Sequence, residues 1–179
     1  MTYTLDQFTH DCHDVLKQDP SASGREEARR LMERLLADEA FLRRYCIDNS
    51  PGLHLLFEDP ELKFQLLAHV NEKARVSPPH DHGDSWAIYG QATEYTDVTE
   101  WERIDDGADP THAELRPTKT YRLLPGQVGI YQDGCIHSID YPAKSCFIRL
   151  TGTNLDRIPR IMIDLNSGTV KQMARQRAT

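Results

Sequence analysis

Basic residues are scarce. Across 179 residues, 21 Lys+Arg face 28 Asp+Glu, a formal net charge of −7. A nucleic-acid partner would call for a basic stripe, so the balance argues against that class. Long apolar runs are missing too. No window approaches the ~18 consecutive apolar residues of a membrane span. The opening residues, Met1-Thr2-Tyr3-Thr4-Leu5-Asp6, lack the charged start and apolar stretch of a secretion signal, so a cytoplasmic chain is expected. The four cysteines (Cys12, Cys46, Cys135 and Cys146) show no CxxC spacing, which predicts reduced thiols rather than a disulfide framework. Repeats and low-complexity tracts are also absent.

What is present is ordinary in bulk, with 39% hydrophobic and 27% charged residues. A chain of this length forms one domain in most cases and buries ~70% of its unfolded surface, so a single domain over 1–179 is expected. The one excess is histidine, with eight copies.

Residues 1–50 read as a helical layer. Thr4-Leu5-Asp6-Gln7 and Ser23-Gly24-Arg25-Glu26 both fit a capping box. Ala28, Leu31, Met32, Leu35, Leu36, Phe41, Leu42 and Tyr45 then recur at helical spacing, until Asn49-Ser50-Pro51-Gly52 breaks the pattern. From Leu53 the period shortens. The expected strands are Leu53–Phe57, Leu62–Asn71, Ser85–Tyr95, Thr120–Leu123, Gln127–Tyr131, Ile136–Ile139, Cys146–Thr151 and Ile161–Leu165. No helix-length segment separates them, which predicts an antiparallel sandwich or barrel over 53–165, packed on one side by the front helices. Glu100–Asp109 reads as a solvated acidic loop, and 166–179 as a polar tail, frayed from Lys171.

The histidines carry the chemistry. His80 and His82 flank Asp81 in an extended segment, and side chains at i and i+2 of such a segment share one side. His137 follows Gly134 on a later strand that a barrel can bring alongside. Three imidazoles around one divalent ion are then expected, the alternative being that one or two of these are ordinary core or surface histidines.

His80-Asp81-His82-Gly83-Asp84-Ser85 resembles the first metal motif of the cupins, in particular of the cysteine dioxygenase-like thiol dioxygenases. Gly126-x5-Gln132-x-Gly134-x2-His137 resembles the second, with Gln132 where proline is usual, and the resemblance spans about Leu53–Thr151. It implies a mainly β fold, a cupin double-stranded β-helix barrel (jelly roll) behind an N-terminal α-helical segment. It further implies ferrous iron on His80, His82 and His137, and O2-dependent conversion of a small thiol to a sulfinic acid. Zinc, nickel or manganese also suit three histidines as the loaded metal. The partners are then a small-molecule substrate and O2, with no nucleic acid and no membrane; monomer and dimer both stay open.

The departures from the family narrow the substrate. The cysteine crosslinked to tyrosine in the animal enzymes falls at Ala87, and the Ser-His-Tyr relay falls at Phe147, Arg149 and Thr151. The arginine that clamps an amino-acid carboxylate falls at His54, which makes cysteine a poor substrate. Arg149 then either faces the cavity and pairs with an anionic substrate group, or lies outside in a surface ion pair. The hydroxyl of Tyr89 is a candidate for orienting O2 or substrate. A rival pattern is HxD…H…R of Fe(II)/2-oxoglutarate oxygenases, which would use His82, Asp84 and His137 as ligands and Arg149 for 2-oxoglutarate. A second rival is a non-oxidative metal-binding cupin, an isomerase or a binding module.

The remaining candidates get structural readings. His10 and His13, with Cys12 between them, read as a surface helix face rather than a metal site, His69 as a hydrogen-bonded core residue, and His112 as solvent-facing. Cys135 shares a side with His137 if the stretch is extended, either as a pocket thiol or as a small hydrophobe. Trp86 and Tyr95 read as barrel packing.

Overall fold

A computed structural model describes residues 3–173. Three helices come first: α1 (Leu5–Gln18), α2 (Ala22–Leu36) and the short α3 (Glu39–Leu42), which runs on into a single π-type turn at Arg43–Ile47. The first capping box forms as expected, Thr4 and Gln7 satisfying each other's amides. The second does not. Ser21 is the N-cap of α2, its side chain accepting from the Ser23 amide, so Ser23 already lies in the first turn. The apolar stripe is likewise cut after Leu36, where Asp38 caps α3 by accepting from the Phe41 amide.

Eleven strands follow among the described residues: β1 (Gly52–Glu58), β2 (Gln65–Val70), β3 (Arg75–Val76), β4 (Ala87–Thr93), β5 (Thr96–Arg103), β6 (Leu115–Leu123), β7 (Val128–Tyr131), β8 (Ile136–Tyr141), β9 (Cys146–Thr151), β10 (Arg160–Ile163) and β11 (Val170–Met173). One sheet has the order β1-β2-β9-β4-β7, a second β3-β8-β5-β6, and β10-β11 is a separate ribbon. Every pairing is antiparallel. The two larger sheets face each other, and the helices cover the outer face of the first. This is a mainly β jelly-roll barrel of cupin type with an N-terminal helical segment.

Strand register decides which face each side chain takes. Directly paired residues share a face, so Leu67, Arg149, Tyr89 and Gly129 form one inward row across the first sheet, and His69, Phe147 and Gln91 form the next. The alternate residues (Leu66, Ala68, Ile88, Ile148 and Leu150) point outward and pack with Phe8, Met32 and Leu35 of the helices. The inner core joins both sheets through Ala87, Tyr89, Val98, Tyr131, Tyr141 and Phe147. β2, β4 and β9 are thus buried on both faces, and helix α2 lies so close that a Cβ on Gly90 would stand 2.7 Å from Leu36 and Met32 side-chain atoms. His13 ties α1 to the β1–β2 turn, its Nδ1 standing 2.8 Å from Asp59 Oδ2. It is therefore a tertiary contact and not a plain surface residue; His10 stays exposed beside Asp14.

Several expected boundaries move. The strand read from Leu62 starts at Gln65, because Asp59 accepts from the Glu61 and Leu62 amides and closes a turn. The acidic stretch Glu100–Arg103 is strand β5 and not loop; the loop begins at Ile104. Cross-strand partners neutralise its charges: Glu102 pairs with Arg116, and Asp97 receives two bonds of 2.7 Å from Arg122. β6 starts at Leu115 rather than Thr120 for the same reason, since it is the strand that supplies those arginines. Lys171–Met173 is not frayed, because β11 pairs with β10; residues 174–179 of the expected tail lie outside the described residues. Among the described residues no helix is long and apolar enough to cross a membrane.

Candidate metal centre and its cavity

His80 sits where three segments meet. Its amide donates to the His137 carbonyl at 2.9 Å, and the His137 amide donates back to His80 at 3.0 Å, so the two histidines are locked side by side. The β10 strand closes the other flank, with the Ile163 amide donating to Pro79 and the Ile161 amide to the Asp81 carboxylate. Asp81 therefore serves the backbone, while His80 and His82 turn inward. The sharp bend after His82 requires Gly83, whose φ is +58° and where a Cβ would stand 2.1 Å from the Pro159 carbonyl oxygen.

The three imidazoles converge. One ring nitrogen of each of His80, His82 and His137 lies within 4.8 Å of the others, and they are a cluster of metal-ligand type among the described residues. His82 is 2% exposed and His137 fully buried. Nδ1 of His80 stands 3.0 Å from the Pro78 carbonyl and Nδ1 of His137 stands 3.3 Å from that of Cys135. Each Nδ1–H donates there, which leaves Nε2 of both rings as the free lone pair. Nε2 of His137 is buried with no hydrogen-bond partner. An orphaned buried nitrogen is costly in a protein that binds nothing and is what a metal ligand looks like without its ion. Nε2 of His82 stands 3.1 Å from the Tyr89 hydroxyl.

Electrostatics suit the same use. Burial first, and then repulsion from the neighbouring imidazoles, hold His82 far below the ordinary range and His137 at about 3. Burial also lowers His80, against the opposing bond to Pro78. All three are neutral at pH 7, the form that coordinates a metal. A divalent ion therefore fits the donor set.

Asp84 is exposed and lies outside the cluster, so the carboxylate of the rival HxD pattern is not brought to the histidines. Arg149 lies on the inward row and lines a cavity of about 210 Å³ together with His80 and Tyr89. His54 lies elsewhere: it pairs with Ala68, shares the outward face, and its Nε2 stands 2.8 Å from the Ser50 carbonyl. Ala87 and Thr151 are buried opposite each other on the inward face. Cys135 packs beside the inner core, where burial pushes its thiol up to about 11. Trp86 is buried in the helix-side core, and Tyr95 packs under the Arg122 guanidinium. His112 is exposed.

Several cavity residues were not among the sequence candidates for the site, four of which bear on its chemistry. His69 is not a hydrogen-bonded core residue: its Nε2 is buried without a partner and its ring stacks on Phe147 at 4.5 Å. Arg75, Arg160 and Met162 also lie on the wall. Inward parity would have found His69, since it follows Gln65 and Leu67 at two-residue spacing. Arg75 and Arg160 gave no comparable signal, because both sit at the starts of short strands.

No family model and no curated protein matches the chain. Similar solved structures include KdgF from Halomonas sp., with a TM-score of 0.41 and 17% identity over 57% of this chain and 81% of that one. The cupin domain of Cnp3 from Schizosaccharomyces pombe aligns with a TM-score of 0.40 and 14% identity, over 55% of this chain and 57% of that one. A cupin superfamily protein from Desulfitobacterium hafniense DCB-2 aligns with a TM-score of 0.42 and 13% identity, over 59% and 80% respectively. Likeness at this level adds nothing about activity; the fold rests on strand order and register, and the site on its own geometry.

Proposed function

We propose that this chain is a three-histidine non-haem iron dioxygenase that converts a small anionic thiol to its sulfinic acid. The observation that carries the reading is the neutral, buried cluster of His80, His82 and His137, with Nε2 of His137 unpartnered, beside a cavity walled by Arg149. An all-imidazole ligand set leaves both charges of a ferrous ion uncompensated, which favours an anionic sulfur donor. The bound iron would supply the redox chemistry with O2. The reaction balances as thiol plus O2 giving sulfinic acid: sulfur loses four electrons, O2 gains four, and both oxygens end on sulfur.

The chain's own residues hold the substrate. Arg149 fixes an anionic group through a bidentate guanidinium contact. The Tyr89 hydroxyl, 3.1 Å from His82 Nε2, is a hydrogen-bond donor beside the ligand set and orients the reacting group. Phe147 and Tyr141 line the same cavity and exclude water. Cysteine is disfavoured, because the position of the familiar clamp is His54, on the outer face.

The test is oxygen uptake by ferrous-loaded protein across a panel of small thiols, with the product identified by mass. Sulfinic acid formed with one O2 per thiol supports the reading. One iron per chain with no thiol-dependent uptake would refute it and leave a non-oxidative metal-binding cupin. Arg149→Lys is expected to raise KM far more than it lowers metal content.

A further inference from the structure

The cavity beside the histidines is more cationic than one anionic group requires. Its wall carries three guanidiniums, Arg75, Arg149 and Arg160, together with His69, and no carboxylate. This concentration of positive charge occurs in a chain whose net charge is −7. Arg160 has one ion-pair partner, the largely exposed Asp156 at 3.3 Å. The Nε atoms of Arg149 and Arg160, and Nε2 of His69, are all buried without a hydrogen-bond partner. Unpaired buried donors of this kind carry the full cost of desolvation unless a ligand satisfies them.

A single carboxylate offers two oxygens and satisfies one guanidinium fork bidentately. Two forks and an imidazole exceed what it can accept. A cavity of about 210 Å³ has room for a small organic acid as well as for a compact ion. The guanidiniums are also spread over different elements: Arg149 on β9, Arg160 at the start of β10 and Arg75 at the exposed rim on β3. Spread donors suit two anionic groups held apart on a carbon chain better than one compact ion.

We infer that the cavity is a subsite for a small dicarboxylate, so that the substrate of the proposed oxidation is a thiol bearing two carboxylates, one held by Arg149 and Arg160 and the other near Arg75. The thiol part of this inference rests on the proposed function; the two-carboxylate part rests on the cavity alone.

Calorimetric titration of the metal-free protein at low salt separates the two parts. The probes are succinate, its monoanionic analogue butyrate, and inorganic phosphate. Succinate is expected to bind at least tenfold more tightly than butyrate. Arg75→Gln, at an exposed position, should reduce succinate to the butyrate level and leave butyrate unchanged, and Arg149→Met should weaken both. Equal affinity for succinate and butyrate, or no binding of either, would overturn the inference. Phosphate binding as tightly as succinate would overturn it in favour of a compact dianion. With ferrous-loaded protein, mercaptosuccinate should then have a KM at least tenfold below that of 3-mercaptopropionate. Succinate binding without thiol-dependent oxygen uptake would refute the oxygenase reading alone, whereas uptake without succinate preference would refute the subsite alone.

Discussion

Replacing Tyr89 with Phe separates the metal-free from the metal-bound state of the histidine cluster. Tyr89 is 6% exposed, and its ring lies 5.4 Å from Tyr131 and 5.5 Å from Phe147, contacts that Phe retains. The change therefore removes one oxygen and its 3.1 Å contact with His82 Nε2. In the metal-free protein that loss leaves a buried nitrogen unsatisfied, at a cost of about 1–3 kcal/mol. When a metal occupies Nε2, the contact is absent in the parent protein as well, so the variant loses little. The difference between the two states must reappear as metal affinity. At about 1.4 kcal/mol per tenfold, Tyr89→Phe should bind metal roughly five- to a hundredfold more tightly. The metal-free Tm should fall by roughly 2–4 °C per kcal/mol at this chain length, while the metal-loaded Tm stays close to that of the parent. Thermal melts of both forms, with metal titrations, check it. Equal destabilisation of both forms with unchanged affinity would refute ligation through His82 Nε2.

Three further outcomes are expected. His80→Ala should abolish tight metal binding and Asp84→Ala should leave it intact, as read by elemental analysis, because only the former belongs to the cluster. Burial first of all depresses His69, His80, His82 and His137, with His137 at about 3, whereas an unfolded imidazole titrates near ~6.5. Below that pH the unfolded chain binds more protons than the folded one, so metal-free stability should fall as pH drops, by roughly 1 kcal/mol per pH unit per imidazole; a urea midpoint that is flat from pH 7.5 to 5 would contradict this. Gly83→Ala should destabilise by at least ~1–3 kcal/mol, since its φ of +58° is combined with a clash on Pro159. Gly134→Ala, at φ +71° but with open space around it, should cost about 1 kcal/mol, and denaturant melts compare the two.

The sequence was most readable where one physical rule acts alone. Helical spacing and the Thr4–Gln7 cap marked the front helices, and the two-residue spacing of His80 and His82 put both imidazoles on one side before any fold was known. Reading failed where tertiary partners decide. Asp97 and Glu102 look solvated until Arg122 and Arg116 on the neighbouring strand are seen to pair with them. Lys171–Met173 looks like tail because it has no apolar pattern, yet it pairs along β10. The orientation of Arg149 stayed open for a related reason: β9 is buried on both faces, so hydropathy along it carries no alternation to read. Its register against Tyr89 and Leu67 turns it inward. Arg75 and Arg160 reach the cavity only because short strands carry them there, and nothing in their local sequence marks them.

The central claim, that His80, His82 and His137 hold iron for thiol oxidation, is tested most directly by one measurement. Protein loaded anaerobically with one equivalent of ferrous iron is mixed with an anionic thiol and ¹⁸O₂, and the product is weighed. The account predicts a sulfinic acid carrying two labelled oxygens, with one O2 consumed per thiol, and no product from His137→Ala. A fully loaded protein that consumes no oxygen with any anionic thiol would contradict it.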